Sequence, residues 1–482
     1  MKKFLSILLV LLMVAIPLAS CSDNPDGNKD TGNAGNQTQG TGAEVEDKLE
    51  IPEGVKFEEY EFVILTPEVV TYNYTMTDFD EPSDDPYENA LYERNVAVEE
   101  LLGITITEVA AGISGGVYDL FKTSVDANTY DYDICFNSMT SSCTATGAGL
   151  CYELDMFEYI DLDKSWWNAD CSEQLALGNM HYMAAGDIAL SDKECIWAMY
   201  FIKDLVTQNN LENPYELVKN NQWTWDKMHE MASKVAYDDN GNGSLDSSDT
   251  WGLCTHGENF PAMWESAGLK LVTLDKDGVP EVTWNSEEFV NVFEEIVDVM
   301  GDTECVSWKN TDAVSDAIGF ITTALKDGRT LFGTEVIAFV RDYRGNDYDF
   351  GILPFPKYST DIEEYQSYIA VNSCVMTIAS SCDDTYRTGI IAETLAAKGA
   401  EILIPTYYDG QLSSKFARDE ESGEMLDIIF EHRCYDLGVF FNWGSAYSGL
   451  CSTDVNPSTL YASVSKKLNK EIEKAFEKLN LN

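Results

Sequence analysis

The first hydrophobic feature of this chain is a block, not a period. Phe4 to Ala19 is almost unbroken apolar sequence behind Lys2 and Lys3. It is too short and too close to the N-terminus for a stable membrane span. From Ser22 to Asp47 the pattern inverts to Ser, Asp, Asn, Gly, Thr and Gln. Such a stretch buries too little surface to fold. Residues 56–67 (KFEEYEFVILTP) alternate and then turn apolar, which predicts a strand. Residues 85–102 carry apolar positions at helical spacing behind an acidic start, and predict a helix. A strand over 104–109, a helix over 118–128 and a strand over 131–136 follow. This alternation implies a parallel or mixed sheet covered by helices. Ligands on such sheets sit beyond the carboxyl ends of strands. Asn137, Ser138, Met139 and Thr140 therefore form a candidate site loop.

The second half continues the mixture without an internal repeat. Helices are predicted over 198–208, 224–236, 287–300, 315–327, 393–400 and 422–432. Strands are predicted over 250–255, 330–339 and 350–354. The last stretch, 459–480, reads as a charged helix without a strong apolar stripe.

The apolar block ends in Leu18-Ala19-Ser20-Cys21. A cysteine directly after the small residues of a signal-peptide end resembles the lipobox of bacterial lipoproteins. That resemblance implies a signal peptide over 1–20, cleaved before Cys21, whose thiol is acylated. Residues 21–49 then read as a lipidated flexible tether. Two acyl chains anchor firmly where one is marginal. The expected location is extracytoplasmic, on the outer face of the cell membrane.

The 482 residues are too many for one core, so two lobes are expected. A formal charge of −52 excludes nonspecific binding to nucleic acid or to anionic lipid. Eleven cysteines remain beyond Cys21, an odd number without a CxxC. Disulfides outside the cell and small apolar core thiols both fit that count.

The most specific local motif is DDNGNGSLDSSD, residues 238–249. It matches the twelve-residue calcium loop. Asp238, Asn240, Asn242, Asp246 and Asp249 stand at its side-chain ligand positions, and Ser244 offers a carbonyl. Gly243 occupies the sharp turn. Two features depart from the motif: Asp249 replaces glutamate, and a strand rather than a helix is predicted to follow. The expected role of the ion is structural. Ten tryptophans suggest stacking platforms for sugar rings, although core packing is the commoner use of this residue. The four histidines, at 181, 229, 256 and 432, show no metal-protease spacing and read as structural. No phosphate loop or GxGxxG occurs, and no enzyme class is indicated.

Taken in order, several phrases resemble the extracellular solute-binding proteins of bacterial ABC importers, carbohydrate type. They include YENALYERNVAVEELLGITI, YDYDICFN, DLDKSWWN, NLENPYELVKNNQWTWDKM, DNGNGSLDSSDTWGL and YDFGILPFPKY. The resemblance implies a two-lobed, type II periplasmic-binding-protein-like α/β fold with a hinge and an interlobe cleft. One lobe would comprise 50–190 and 325–370, the other 191–324 and 371–482. The implied function is capture of a sugar or oligosaccharide and its delivery to membrane permease subunits, without catalysis. The competing class is a secreted carbohydrate-active enzyme or adhesin. Carried over residue by residue, the cleft contacts fall on Asn137, on Glu258, Asn259 and Phe260, and on Glu335. The tryptophan expected near Glu335 and Ala338 is absent, which argues against maltodextrin itself. Trp166, Trp167 and Trp443 are expected to supply stacking instead.

Overall fold

The computed structural model describes residues 47–481 apart from 70–76, 78–80, 113–114, 309–316, 344–346 and 409–419. Cys21, the signal peptide and most of the tether lie outside the described residues. The first sheet begins as the hydrophobic pattern predicts. Strand β1 (Tyr60–Pro67) pairs in parallel with β2 (Ile104–Ala111) on one side and β3 (Ile134–Ser138) on the other. The helix Pro86–Leu102 connects β1 to β2. Its start is set by Asp85, whose carboxylate accepts the N–H groups of Tyr87 and Glu88. Its end is set by Gly103, which takes the left-handed conformation at φ 68°.

The second sheet contains β4 (Trp197–Ile202), β5 (Trp251–Cys254), β8 (Thr330–Val336) and β9 (Phe350–Leu353). Their order across the sheet is β5-β8-β4-β9. β5 and β8 are parallel, and β4 runs antiparallel to both of its neighbours. This corrects the helix expected over 198–208. The run WAMYFI is buried at every position, so it carries no period to separate a central strand from a buried helix. Only Lys203–Gln208 is helical. Two minor pairs complete the strands: β6 (Val272–Leu274) with β7 (Pro280–Val282), and β10 (Ser367–Tyr368) with β12 (Arg433–Cys434).

A late strand, β11 (Cys374–Thr377), returns to the first sheet and pairs antiparallel with β3. Sheet membership therefore differs from the expected grouping. β8 and β9, expected with residues 50–190, belong to the second sheet, and β11, expected with the second lobe, belongs to the first. Strand pairing of this kind joins residues more than 230 positions apart, such as Cys135 and Thr377, and local pattern does not encode it. From strand to strand, the described chain passes between the sheets near 191–196 and near 369–373. The two crossings are laced together: Ala370 donates its N–H to the Cys195 carbonyl at 3.0 Å, and Cys374 donates to Ser191 Oγ at 2.6 Å.

Under the first sheet Phe62, Ile64, Ile106 and Phe136 pack against Met376, Ile391 and Leu395. In the remainder Trp223, Trp225, Trp251, Trp264 and Trp284 are fully buried. These five are core residues, not ligand platforms. The eleven described cysteines keep their thiols, with no disulfide among the described residues, and nine of them are buried. Burial pushes the thiols up, Cys254 to about 12 for example. Small apolar core residues, rather than a disulfide framework, account for them.

Candidate functional site

The parallel strands β5 and β8 end side by side, and a cavity of about 190 Å³ opens beyond their carboxyl ends. Its position obeys the strand-end rule. His256 and Glu258 reach it from the turn after β5, Glu335 from β8 and Phe339 from the turn after β8. Trp197, the first residue of β4, forms one wall, and Ala370 and Asn372 enter from the second crossing. The cavity thus touches both strand ends and a crossing segment.

The groups are arranged as a polar chain against aromatic surface. Trp197 meets His256 edge to face, with centroids 4.8 Å apart. His256 Nδ1 accepts the Glu258 N–H at 3.4 Å, and its Nε2 faces Glu335 at 3.8 Å. Tyr368 donates its hydroxyl to Glu258 Oε2 at 3.1 Å. Burial pushes the Glu258 carboxyl up, opposed first by the neighbouring His256. Trp197 is 1% exposed, and its indole N–H has no hydrogen-bond partner among the described residues. A buried donor without a partner costs about 1–3 kcal/mol. Carboxylate and imidazole groups beside aromatic rings are what a polyhydroxylated ring requires.

Of the residues singled out in the sequence, Glu258 and Glu335 line this cavity. Asn259 and Phe260, next in sequence to Glu258, do not. They start the helix Asn259–Ser266 and are fully buried, Asn259 against Met300 Sδ and Phe260 stacked on Phe293. Asn137 sits at the end of β3, 1% exposed, with its amide donated to Cys135 Sγ. The expected loop after it is the helix Met139–Gly147. Trp443 is stacked on Phe441 at 4.3 Å, outside the lining of the cavity.

Trp166 and Trp167 border a separate cavity of about 420 Å³. Their indole N–H groups are both donated to Glu393, at 2.9 and 2.8 Å. The charges there also satisfy each other: Lys193 pairs with Asp187 and Asp192, and Arg433 pairs with Asp192. The sequence names Trp197 only among its ten tryptophans and His256 only as a structural histidine, and it does not point to Phe339 or Asn372. Their signal is tertiary, since they stand on four separate stretches of chain.

The loop 238–249 is a tight turn organised by its own carboxylates. Asp238 accepts the N–H groups of Gly241, Asn242 and Gly243, between 2.7 and 3.2 Å. Gly243 takes φ 93°, open only to glycine at low cost. Asp246, held down at about 2 chiefly by hydrogen bonds from Ser248, faces the Asn240 and Asn242 amides. Asp249 is fully buried and accepts from three backbone N–H groups. Ser244 donates its N–H to Asn242 Oδ1 at 2.9 Å. The donor set is all oxygen, which suits Ca²⁺. The exit is strand β5, pinned by the Trp251 indole on the Asp246 carbonyl at 3.0 Å.

No protein-family model matches this chain, and no curated protein matches it. Solved structures do share its fold. The maltose/maltodextrin-binding domain MalE from Bdellovibrio bacteriovorus, bound to maltotriose, superposes with a TM-score of 0.55 at 13% identity, covering 86% of this chain and 100% of that one. The ABC substrate-binding protein Lmo0181 from Listeria monocytogenes, in complex with cycloalternan, gives 0.55 at 12%, covering 88% and 100%. The cyclic alpha-maltosyl-1,6-maltose binding protein from Arthrobacter globiformis gives 0.57 at 12%, covering 86% and 99%. The chain therefore has the type II periplasmic-binding-protein-like fold, mixed sheets flanked by helices, over nearly its whole described length.

Proposed function

We propose that this chain is a solute-binding protein for an ABC importer, a receptor and not an enzyme, that takes a sugar into the cavity beside Trp197. The supporting observation is the site itself. An imidazole, two carboxylates and two aromatic rings converge beyond the β5 and β8 strand ends, on a fold shared with oligosaccharide receptors. A volume of about 190 Å³ lies below the roughly 300–1,000 Å³ of drug-sized sites. It suits a single sugar unit better than a long oligosaccharide. Permease subunits are the proposed partners, and acylation of Cys21 the proposed anchor, which would hold the receptor near them at high effective concentration.

The test is a thermal-shift screen over mono- and oligosaccharides, paired with product analysis. At a ligand concentration 100 times Kd, binding adds about 2.7 kcal/mol. For a domain of this length that raises Tm by about 3 °C. A sugar that is cleaved rather than merely bound would overturn the reading in favour of an enzyme.

Calcium is proposed for the loop 238–249, with Asp238, Asn240, Asn242, Asp246 and Asp249 holding it by side-chain oxygens and Ser244 by its carbonyl. Bound there, the ion would fix the turn between the helix Trp225–Val235 and β5. Chelator is expected to lower Tm by about 3 °C relative to calcium at 100 times Kd. The Asp238→Ala variant should show no difference between the two conditions. Equal melting of the parent chain with and without chelator would remove calcium from the account.

A further inference from the structure

We propose that His229, Asp302 and Cys305 form a second metal site, for a thiophilic divalent cation of the zinc class. One donor atom from each lies within 4.8 Å of the others. Tetrahedral zinc, with bonds of about 2.0–2.3 Å, places its donors roughly 3.3–3.8 Å apart. His229 Nε2 lies 2.8 Å and Cys305 Sγ 3.4 Å from Asp302 Oδ2, so small adjustments bring all three to that spacing.

The donors come from different elements, and each is held from behind. Asp302 caps the helix Glu287–Gly301, and its Oδ1 accepts the Glu304 N–H at 3.0 Å, which leaves Oδ2 for the cluster. The Cys305 carbonyl accepts the N–H groups of Gly252 and Leu253 on β5, at 3.1 and 2.9 Å. His229 stands on the helix Trp225–Val235, one turn before Ser233, whose hydroxyl contacts Cys305 Sγ at 3.5 Å. That helix lies directly on β5: a Cβ at Gly252 would come within 2.3 Å of the Ala232 carbonyl oxygen. Helix, strand and cap are thus fixed around one point, and hydrogen bonds behind the donors hold them in orientation for an ion.

The chemistry selects the ion. One nitrogen, one carboxylate oxygen and one sulfur suit zinc and not calcium or magnesium, so this cluster is distinct from the oxygen-only loop. Cys305 is 1% exposed, whereas the His229 and Asp302 side chains are 32% and 28% exposed. The open side admits the ion and leaves a fourth position for water. On binding, the Cys305 thiol proton passes to solvent and the thiolate bonds the ion, while the His229 proton that Nε2 directs at Asp302 leaves that nitrogen for Nδ1 or for solvent, so that the Nε2 lone pair faces the ion.

Cobalt(II) titration of the full-length chain tests this. The expected result is a thiolate-to-cobalt absorption saturating at one equivalent, displaced by zinc and retained in Asp238→Ala. Cys305→Ser should abolish it, and His229→Ala should weaken cobalt binding at least tenfold. Zinc addition to the parent chain should release at least one proton per ion, a reading independent of how the variants fold. Absence of the absorption, its survival in Cys305→Ser, or zinc binding without proton release would each overturn the site.

Discussion

Replacing Glu393 with leucine is expected to lower the unfolding free energy by about 3–5 kcal/mol at pH 6, because three buried or half-buried donors lose one shared acceptor. The carboxylate accepts both indole N–H groups of Trp166 and Trp167 and the Asp161 backbone N–H. Leucine fills the volume and pairs with none of them. Each buried donor left alone costs about 1–3 kcal/mol. Burial pushes Glu393 up from 4.5 to about 7, against the opposing hydrogen bonds. The sign follows directly. Between these values the folded chain keeps its proton while the unfolded chain loses it, so this contribution falls as pH rises from 4.5 to 7 and is flat above. Its span is about 3 kcal/mol. Asp133, raised to about 6 by burial, adds a slope of the same sign. The difference between the parent and Glu393→Gln, measured by denaturant unfolding across pH 4.5–7.5, isolates the Glu393 share. A leucine variant within 1 kcal/mol of the parent, or an unchanged slope in the glutamine variant, would show that the carboxylate does not hold the two indoles.

The same pair of tryptophans shows how far a sequence of this kind can be read. That WW sits beside polar groups is legible; that both polar ends point at one glutamate 226 and 227 positions away is not. Elements with their own local signals are legible throughout. The helix Pro86–Leu102 has its cap and its terminal glycine in the sequence, and the loop 238–249 has fixed spacing. β4 resists reading because a fully buried run has no period, and β11 because its partner is remote. The site follows the same division. Applied to the sequence, the strand-end rule picks the stretch after β3, which is the helix Met139–Gly147; the turn after β5 is implied only by the resemblance, and there Asn259 and Phe260 face the core while Glu258 lines the cavity. One helical step separates these fates, and only packing decides between them.

Ligand affinity separates the two descriptions of the site. With a sugar that raises Tm in hand, Glu258→Gln is expected to weaken its binding 10- to 100-fold by calorimetry. A hydrogen bond to a charged acceptor is worth about 1.5–3 kcal/mol, and the amide replaces that acceptor with a neutral one. It keeps an oxygen for the Tyr368 hydroxyl, so the fold should persist. Phe339→Ala removes one ring face and should lower affinity by a similar factor, because a stacked aromatic contributes about 0.5–1.5 kcal/mol beyond the apolar area it buries. Trp443→Phe is the opposing control: this ring is spent on Phe441, and phenylalanine preserves a stacked pair. Its affinity should stay within threefold of the parent. If instead Trp443→Phe weakened binding and Glu258→Gln did not, the sugar would lie against the tryptophans singled out by sequence, and the cavity between β5 and β8 would be an internal polar cluster.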